Sequence, residues 1–177
     1  GQLRVCGAVE EGTTVSDYLL QERERGISIV SAAVTCNWQD RQLTLLDTPG
    51  HIDFTAEVER SLRVMDAAVA VFCAVRGVQA QSEMVWRRAR NYGLPGLAFV
   101  NKLDREGADF AGVLAQMGEL FEESKPLPLA VPLYSRERML LGILDLVKGE
   151  FGEIRAGVSA GEISEALQEG RRRILEI

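Results

Sequence analysis

Two short stretches of this chain carry residue types that could do chemistry at a phosphate and at a nucleobase. Asp47-Thr48-Pro49-Gly50-His51 directly follows the strand-like stretch Gln42 to Leu46, and Asn101-Lys102-Leu103-Asp104 directly follows the apolar stretch Leu97 to Val100. A carboxylate at a strand end can hold a hydrated Mg²⁺ beside a phosphate, and a glycine brings a bare backbone N–H against a phosphate oxygen. Asparagine, with a carboxylate two residues beyond a lysine, presents a donor, an acceptor and a flat aliphatic stem. That set suits a purine edge bearing a carbonyl and an exocyclic amine, which is guanine rather than adenine. Each stretch also has a plainer counterpart. Asp-Thr-Pro-Gly is an ordinary turn sequence, Asn-Lys-x-Asp arises by chance in some chains, and His51, the only histidine, is by default a surface or turn residue. The weight comes from the conjunction, both stretches at strand ends, in this order and one strand–helix layer apart.

The elements that must position them follow from hydrophobic periodicity. From Val30 to Trp38 the even positions are apolar and most odd ones small or polar, the period of two that marks a strand with one buried face. Gln39-Asp40-Arg41 reads as a turn and Gln42 to Leu46 as the returning strand of an antiparallel hairpin. Phe54, Val58, Leu62 and Met65 then fall on one helical face. Ala67 to Val75 is a continuous apolar run, as expected of a strand covered on both sides. Val85, Ala89 and Tyr92 define a second helix, stopped by Gly93 and Pro95. Leu97 to Val100 reads as another buried strand, and Phe110, Val113, Leu114, Met117 and Phe121 as a third helix. Leu127 to Leu133 reads as one more strand, interrupted by Pro128 and Pro132. This alternation predicts an α/β fold with a mostly parallel sheet and one antiparallel hairpin strand. After Tyr134 the rhythm weakens, with a charged Arg136–Arg138, an apolar Leu140 to Val147 and then glycines at 149, 152, 157 and 161. That part reads as an appended or inserted piece, closed by helical spacing over Glu162–Ile177.

Composition narrows the class. The 177 residues carry 20 Lys plus Arg against 26 Asp plus Glu, a net charge of −6 that argues against wrapping DNA by bulk charge. The longest apolar stretch is far short of the roughly 20 residues of a membrane span. Cys6, Cys36 and Cys73 form neither a disulfide framework nor a zinc pattern and suggest a reducing compartment. The chain opens on Gly1 rather than Met and closes inside a helical pattern, so both ends read as cut. Residues 1 to 26 are polar and Gly/Thr-rich, and the charged run Glu22 to Gly26 is by default a solvated loop or helix end.

On these motifs the chain resembles the translational GTPases. Asp47–His51 and Asn101–Asp104 match their third and fourth GTPase motifs, and Gln21-Glu22-Arg23-Glu24-Arg25-Gly26-Ile27-Ser28-Ile29 is similar to the first switch of elongation factor G. The similarity continues through Phe54–Val64, Gly77–Ser82 and Leu141–Val147, the last resembling a subdomain inserted in elongation factor G and lacking in elongation factor Tu. Ser31–Thr35 and Gln79–Gln81 lean toward the mitochondrial ribosome-releasing branch, elongation factor G 2.

The resemblance implies a P-loop-type GTPase domain incomplete at both ends. Residues 1–133 would be its core and residues 134–177 the start of the inserted subdomain. GTP or GDP and Mg²⁺ are the implied cofactors. Asp47 would reach Mg²⁺ through water, joined by Ser28, which stands where the family usually has a threonine. Thr48, Pro49 and Gly50 would belong to the nucleotide site, with the Gly50 N–H contacting the γ-phosphate, and His51 would orient the attacking water on the ribosome. Asn101 and Asp104 would read guanine, with the Lys102 stem over the ring and Leu103 counted in the same nucleotide-binding motif. The implied partner is the ribosome, its RNA and proteins, with ribosome recycling factor a candidate on the branch lean; a monomer is expected, with no DNA and no membrane. The location would be the cytoplasm or the mitochondrial matrix. No G-x-x-x-x-G-K-[ST] loop occurs in these residues, so the segment alone is expected to be nearly inert. The alternatives are a ribosomal protection GTPase of the tetracycline-resistance type and a degenerate, non-hydrolysing module that docks on ribosomes.

Overall fold

Turn chemistry organises the first strands. Gln39 and Asp40 have φ of 45° and 60°, the doubly positive pair that a two-residue hairpin turn with strand-matching twist demands. In this computed structural model they join β1 (Ala32–Trp38) to β2 (Arg41–Asp47), an antiparallel ladder running from Trp38↔Arg41 to Ala32↔Asp47. The expected alternation is seen from Ala32 to Cys36, whereas Trp38, beside the turn, is 63% exposed. The structure describes residue 22 and residues 28–121, 126–153 and 159–174. The polar segment 1–21, the rest of the charged run, Gln21 and Arg23–Ile27 of the switch-like stretch, Cys6, Lys125 and Gly157 lie outside the described residues.

After β2 a 3-10 turn over Ile52–Phe54 leads into α1 (Thr55–Leu62), β3 (Ala68–Cys73), α2 (Ala80–Asn91), β4 (Gly96–Asn101) and α3 (Phe110–Leu120). Helix α2 ends where Gly93, at φ 70°, lets its N–H and that of Leu94 return to the carbonyls of Arg90 and Ala89, the glycine stop that the sequence predicts. β3 and β4 pair. The bonds from Ala68 N–H to Pro95 C=O and from Ala74 N–H to Asn101 C=O keep one sequence offset, which makes the pair parallel.

By internal contacts the chain divides into two compact units, Gly1–Val69 with Met84–Leu97, and Ala70–Glu83 with Ala98–Ile177. The first has a core of Val58 and Leu62 from α1 with Ala89 and Leu94, against which Met65, Ala68 and Val85 pack. In the second, β5 (Ala130–Tyr134), β6 (Leu140–Asp145) and β7 (Phe151–Glu153) form an antiparallel sheet, covered by α4 (Ala160–Ile174) through Leu133, Leu141 and Ala166. Ser159 and Glu162 cap α4 reciprocally. Glu162 N–H donates to Ser159 Oγ at 3.2 Å, and Glu162 Oε2 accepts from Ser159 N–H at 2.9 Å.

Two sequence expectations are corrected. Among the described residues one strand pair is parallel and three are antiparallel, so the chain is mixed rather than mostly parallel. The strand expected over Leu127 to Leu133 is β5, and it belongs to the antiparallel sheet. Its Pro132 has no N–H to give, and β5 is an edge strand, where that loss is tolerated. Nor is the apolar run at β3 covered on both sides. Phe72 is wholly buried and meets Phe121 at a ring distance of 6.2 Å, but Val69 and Val71 are 62% and 59% exposed. Leu97 and Phe99 of β4 are exposed likewise. Valine and phenylalanine suit a strand whether or not both faces are buried, so an unbroken apolar run does not report two-sided cover.

Candidate functional site

In the first unit, the last rung of the hairpin decides which segments meet. Ala32 pairs with Asp47, so the chain entering β1 and the chain leaving β2 depart from the same end of the ladder. The entering chain carries Ser28, half-buried, and the leaving chain is Thr48-Pro49-Gly50-His51. A hydroxyl contact ties the entering chain to α1, Ser31 Oγ lying 2.9 Å from Ser61 Oγ. Asp47 is exposed at the strand end, Thr48 is half-buried and Pro49 is fully buried, anchoring the turn. At Gly50 a Cβ would meet nothing within 4 Å, which leaves its backbone approachable.

His51 is exposed and heads the 3-10 turn, where its C=O accepts from Phe54 N–H at 3.0 Å. Its ring lies 5.9 Å from that of Phe54. Nδ1 lies 3.3 Å from both Asp53 N and an Asp53 carboxylate oxygen. The two contacts are exclusive: a bare Nδ1 accepts the backbone N–H, and a protonated Nδ1 donates to the carboxylate. Either way Nε2 is the nitrogen that neither contact uses. Below, α1 is clasped to α2 by Arg88 Nη1, 3.2 Å from Glu59 Oε1. That is an ion pair without a hydrogen bond, since Nη1 is buried and has no hydrogen-bond partner.

In the second unit, Asn101 closes β4 and its Oδ1 accepts from Lys102 N–H at 2.8 Å. Lys102 has φ of 62°, a left-handed backbone that a lysine adopts only when its surroundings fix it. Three contacts do so. Arg105 N–H donates to Lys102 C=O, Ala74 N–H donates to Asn101 C=O at 2.9 Å, and the Tyr134 hydroxyl donates to Leu103 C=O at 3.1 Å. Leu103 is half-buried, while Asn101, Lys102 and Asp104 are exposed. A cavity of about 780 Å³ opens beside this turn between α3, β5 and α4, lined by Asp109, Tyr134, Arg136, Met139 and Glu165 among others. Arg136 and Glu165 form an ion pair at that cavity.

Close by, the Cys73 thiol at the end of β3 is shifted below its ordinary pKa. Hydrogen bonding from the Arg76 backbone is the main cause, with the Val75 backbone and the charges of Lys102 and Arg76 adding to it.

Each cluster has its own chemistry. Ser28 and Asp47 supply a hydroxyl and a carboxylate, hard oxygen donors of the type a hydrated Mg²⁺ takes. Among the described residues no group of three His, Cys, Asp or Glu could hold a metal ion. The left-handed turn at Lys102 carries an exposed amide, an exposed lysine and an exposed carboxylate at Asn101, Lys102 and Asp104. Sequence reasoning named Lys102 but not its left-handed backbone, and it did not foresee two further contributions. Glu22, read as part of a solvated charge run, is fully buried, and Tyr134 reaches the Leu103 carbonyl from 31 residues away. No local signal marks either contact.

A profile of the Elongation factor Tu GTP binding domain matches residues 2–170. The chain belongs to this family of GTP-binding domains. A curated relative of this GTP-binding domain, "Elongation factor G" of Salinibacter ruber, is 51% identical over 150 residues, 85% of this chain and 21% of that protein. A crystal structure from Thermus thermophilus matches it with a TM-score of 0.78 at 30% identity, covering 96% of this chain and 26% of that one. The GTP-binding domain thus spans about a fifth to a quarter of the relatives it matches.

Proposed function

We propose that this chain is part of the GTP-binding domain of an elongation factor G-type protein that hydrolyses GTP on the ribosome. The observation that carries this reading is the presence in one chain of two differently built turns: an open Asp47–His51 turn leaving the hairpin end that the Ser28 segment enters, and a strained, pinned Asn101–Asp104 turn. Asp47 and Ser28 would hold Mg²⁺, which when bound neutralises charge on the phosphates. Gly50 N–H would donate to the γ-phosphate. His51, through Nε2, would orient the attacking water, since phosphoryl transfer is helped chiefly by positioning and electrostatics. Asn101 and Asp104 would read guanine across the Lys102 stem.

The similarity to an elongation factor G supports translation as the setting and the ribosome as the partner. The residues Ser31–Thr35 and Gln79–Gln81 support the finer reading of ribosome splitting with a recycling factor, in the mitochondrial ribosome-releasing branch. Translocation is the other reading of an elongation factor G-type protein. Residues 134–177, with β6, β7 and α4, would begin the inserted subdomain.

Base choice tests the proposal directly. In the full-length protein Asp104→Asn replaces a carboxylate acceptor with an amide. Preference should move from GTP toward xanthosine triphosphate by about 1.5–3 kcal/mol, the worth of a hydrogen bond to a charged group. Competitive nucleotide titration reads it. Unchanged selectivity would mean that Asp104 does not face the base.

A further inference from the structure

Glu22 stands in a run of alternating charges, yet it is 0% exposed. Its Oε1 accepts from Ile29 N–H at 2.8 Å and from Val30 N–H at 3.0 Å. Burying a carboxylate is costly unless its lone pairs are held by donors, and charge-assisted bonds to backbone N–H groups are the strong kind. The side chain therefore clamps a backbone seven and eight residues away.

The clamped residues occupy a particular place. Ser28 immediately precedes the first held amide, and Ser31, which immediately follows the second, meets Ser61 of α1 at 2.9 Å. Ser61 is itself buried. Residues 29–31 are thus gripped from two directions, by a carboxylate and by the helix that starts just beyond the His51 turn. Ser28 is the residue at the head of this fixed backbone, at the end of the hairpin from which Asp47–His51 departs.

We propose that Glu22 is a positioning residue for the GTP-bound state. Its carboxylate fixes the backbone at Ile29 and Val30 so that the Ser28 hydroxyl is delivered to the cation beside Asp47. The inference rests on the proposed role of Ser28 as a Mg²⁺ ligand. Glu22 touches neither nucleotide nor metal and acts through the two amides. A glutamine keeps the size and an acceptor oxygen but halves the bond strength, while alanine removes the acceptor altogether.

The test is a Mg²⁺ titration of the binding of a non-hydrolysable GTP analogue, and of GDP, to the full-length protein. It is run on the parent, Glu22→Gln, Glu22→Ala and Ser28→Ala. Amide hydrogen exchange at Ile29 and Val30 is followed in parallel. The expected result is that Glu22→Gln raises the Mg²⁺ needed for half-saturation with the analogue by roughly three- to ten-fold, as loss of a charge-assisted bond implies. Exchange at the two amides should speed up and GDP affinity should stay within about two-fold. Glu22→Ala should exceed Glu22→Gln in the same direction.

If Ser28→Ala shifts the Mg²⁺ requirement and Glu22→Gln does not, the positioning role is wrong while the Ser28 reading stands. A Ser28→Ala protein that matches the parent removes the Ser28 reading, and this inference with it. If Glu22→Ala does not fold, Glu22→Gln decides alone. A Glu22→Gln protein with a lower melting temperature but the parent's Mg²⁺ requirement would make Glu22 structural only.

Discussion

Replacing Lys102 with glycine should separate stability from nucleotide affinity. Lys102 holds φ of 62°, a conformation that costs an L-residue about 1–2 kcal/mol. Glycine removes that cost, while its greater freedom in the unfolded chain opposes folding by roughly 0.5–1 kcal/mol. The bonds that shape the turn, from Lys102 N–H, Arg105 N–H and the Tyr134 hydroxyl, use no atom of the lysine side chain. The net change in stability should therefore be favourable or near zero and below about 1.5 kcal/mol, a rise of no more than roughly 3–6 °C in the transition of a domain this size.

Affinity should move the other way. If the lysine stem covers the base, losing two or so covered methylenes at about 0.8 kcal/mol each costs about 1.5 kcal/mol, roughly ten-fold in dissociation constant. Differential scanning calorimetry and titration with fluorescent GDP, both on the full-length protein, read the two effects. A melting temperature lowered by more than roughly 4 °C would show that the turn is not left-handed at Lys102. Unaltered GDP affinity would show that the stem does not lie on the base.

Three further outcomes follow from packing and capping. Leu62→Ala should cost about 2–5 kcal/mol, because Leu62 is buried among Val58, Ala89 and Leu94; thermal melting reads it. Gly142→Ala places a Cβ against the Phe151 ring and the Gly152 carbonyl, so β7 should detach from β6, and amide exchange at residues 142–144 and 151–153 should accelerate. The Glu162 carboxyl is held below its ordinary pKa by the Ser159 hydroxyl first and the Ser159 N–H second. A depressed folded-state value means the cap is present above the unfolded pKa and is lost as pH falls through the folded one. The protection of the amides opening α4, relative to their intrinsic exchange, should then fall toward acid pH, and Glu162→Gln should flatten that dependence.

What the sequence made legible was what periodicity and turn chemistry control locally. The hairpin at Gln39-Asp40, the apolar stripe of α3 with Val113, Leu114 and Met117 buried, and the stop of α2 at Gly93 each depend on residues within a few positions of one another. The two motif stretches were legible for the same reason, being contiguous. What escaped depends on partners far along the chain. The burial of Glu22 is decided by amides at 29 and 30, and the antiparallel membership of β5 by β6 and β7. The exposure of Val69 and Val71 is decided by which faces other elements cover. A run of Val, Ala and Phe reads the same with one face covered or two.

The contrast between the two turns is itself informative about the chemistry proposed. Around Gly50 a side chain would find open space, and His51 can exchange one Nδ1 partner for another without leaving its place on the 3-10 turn. Around Lys102 the backbone is strained, and main-chain and tyrosine hydroxyl donors hold it so. A nucleotide whose terminal phosphate is present in one state and gone in the next presents a changing target at the first turn. Its base presents an unchanging one at the second. A loop that must respond to the phosphate gains from few fixed contacts, because each one adds to the cost of rearranging. A loop that reads the base gains from being fixed beforehand, since ordering it on binding would subtract from affinity. The strain at Lys102 and the openness at Gly50 thus suit opposite demands of one reaction, and the Glu22 clamp beside Ser28 sits on the side where rearrangement has to be controlled.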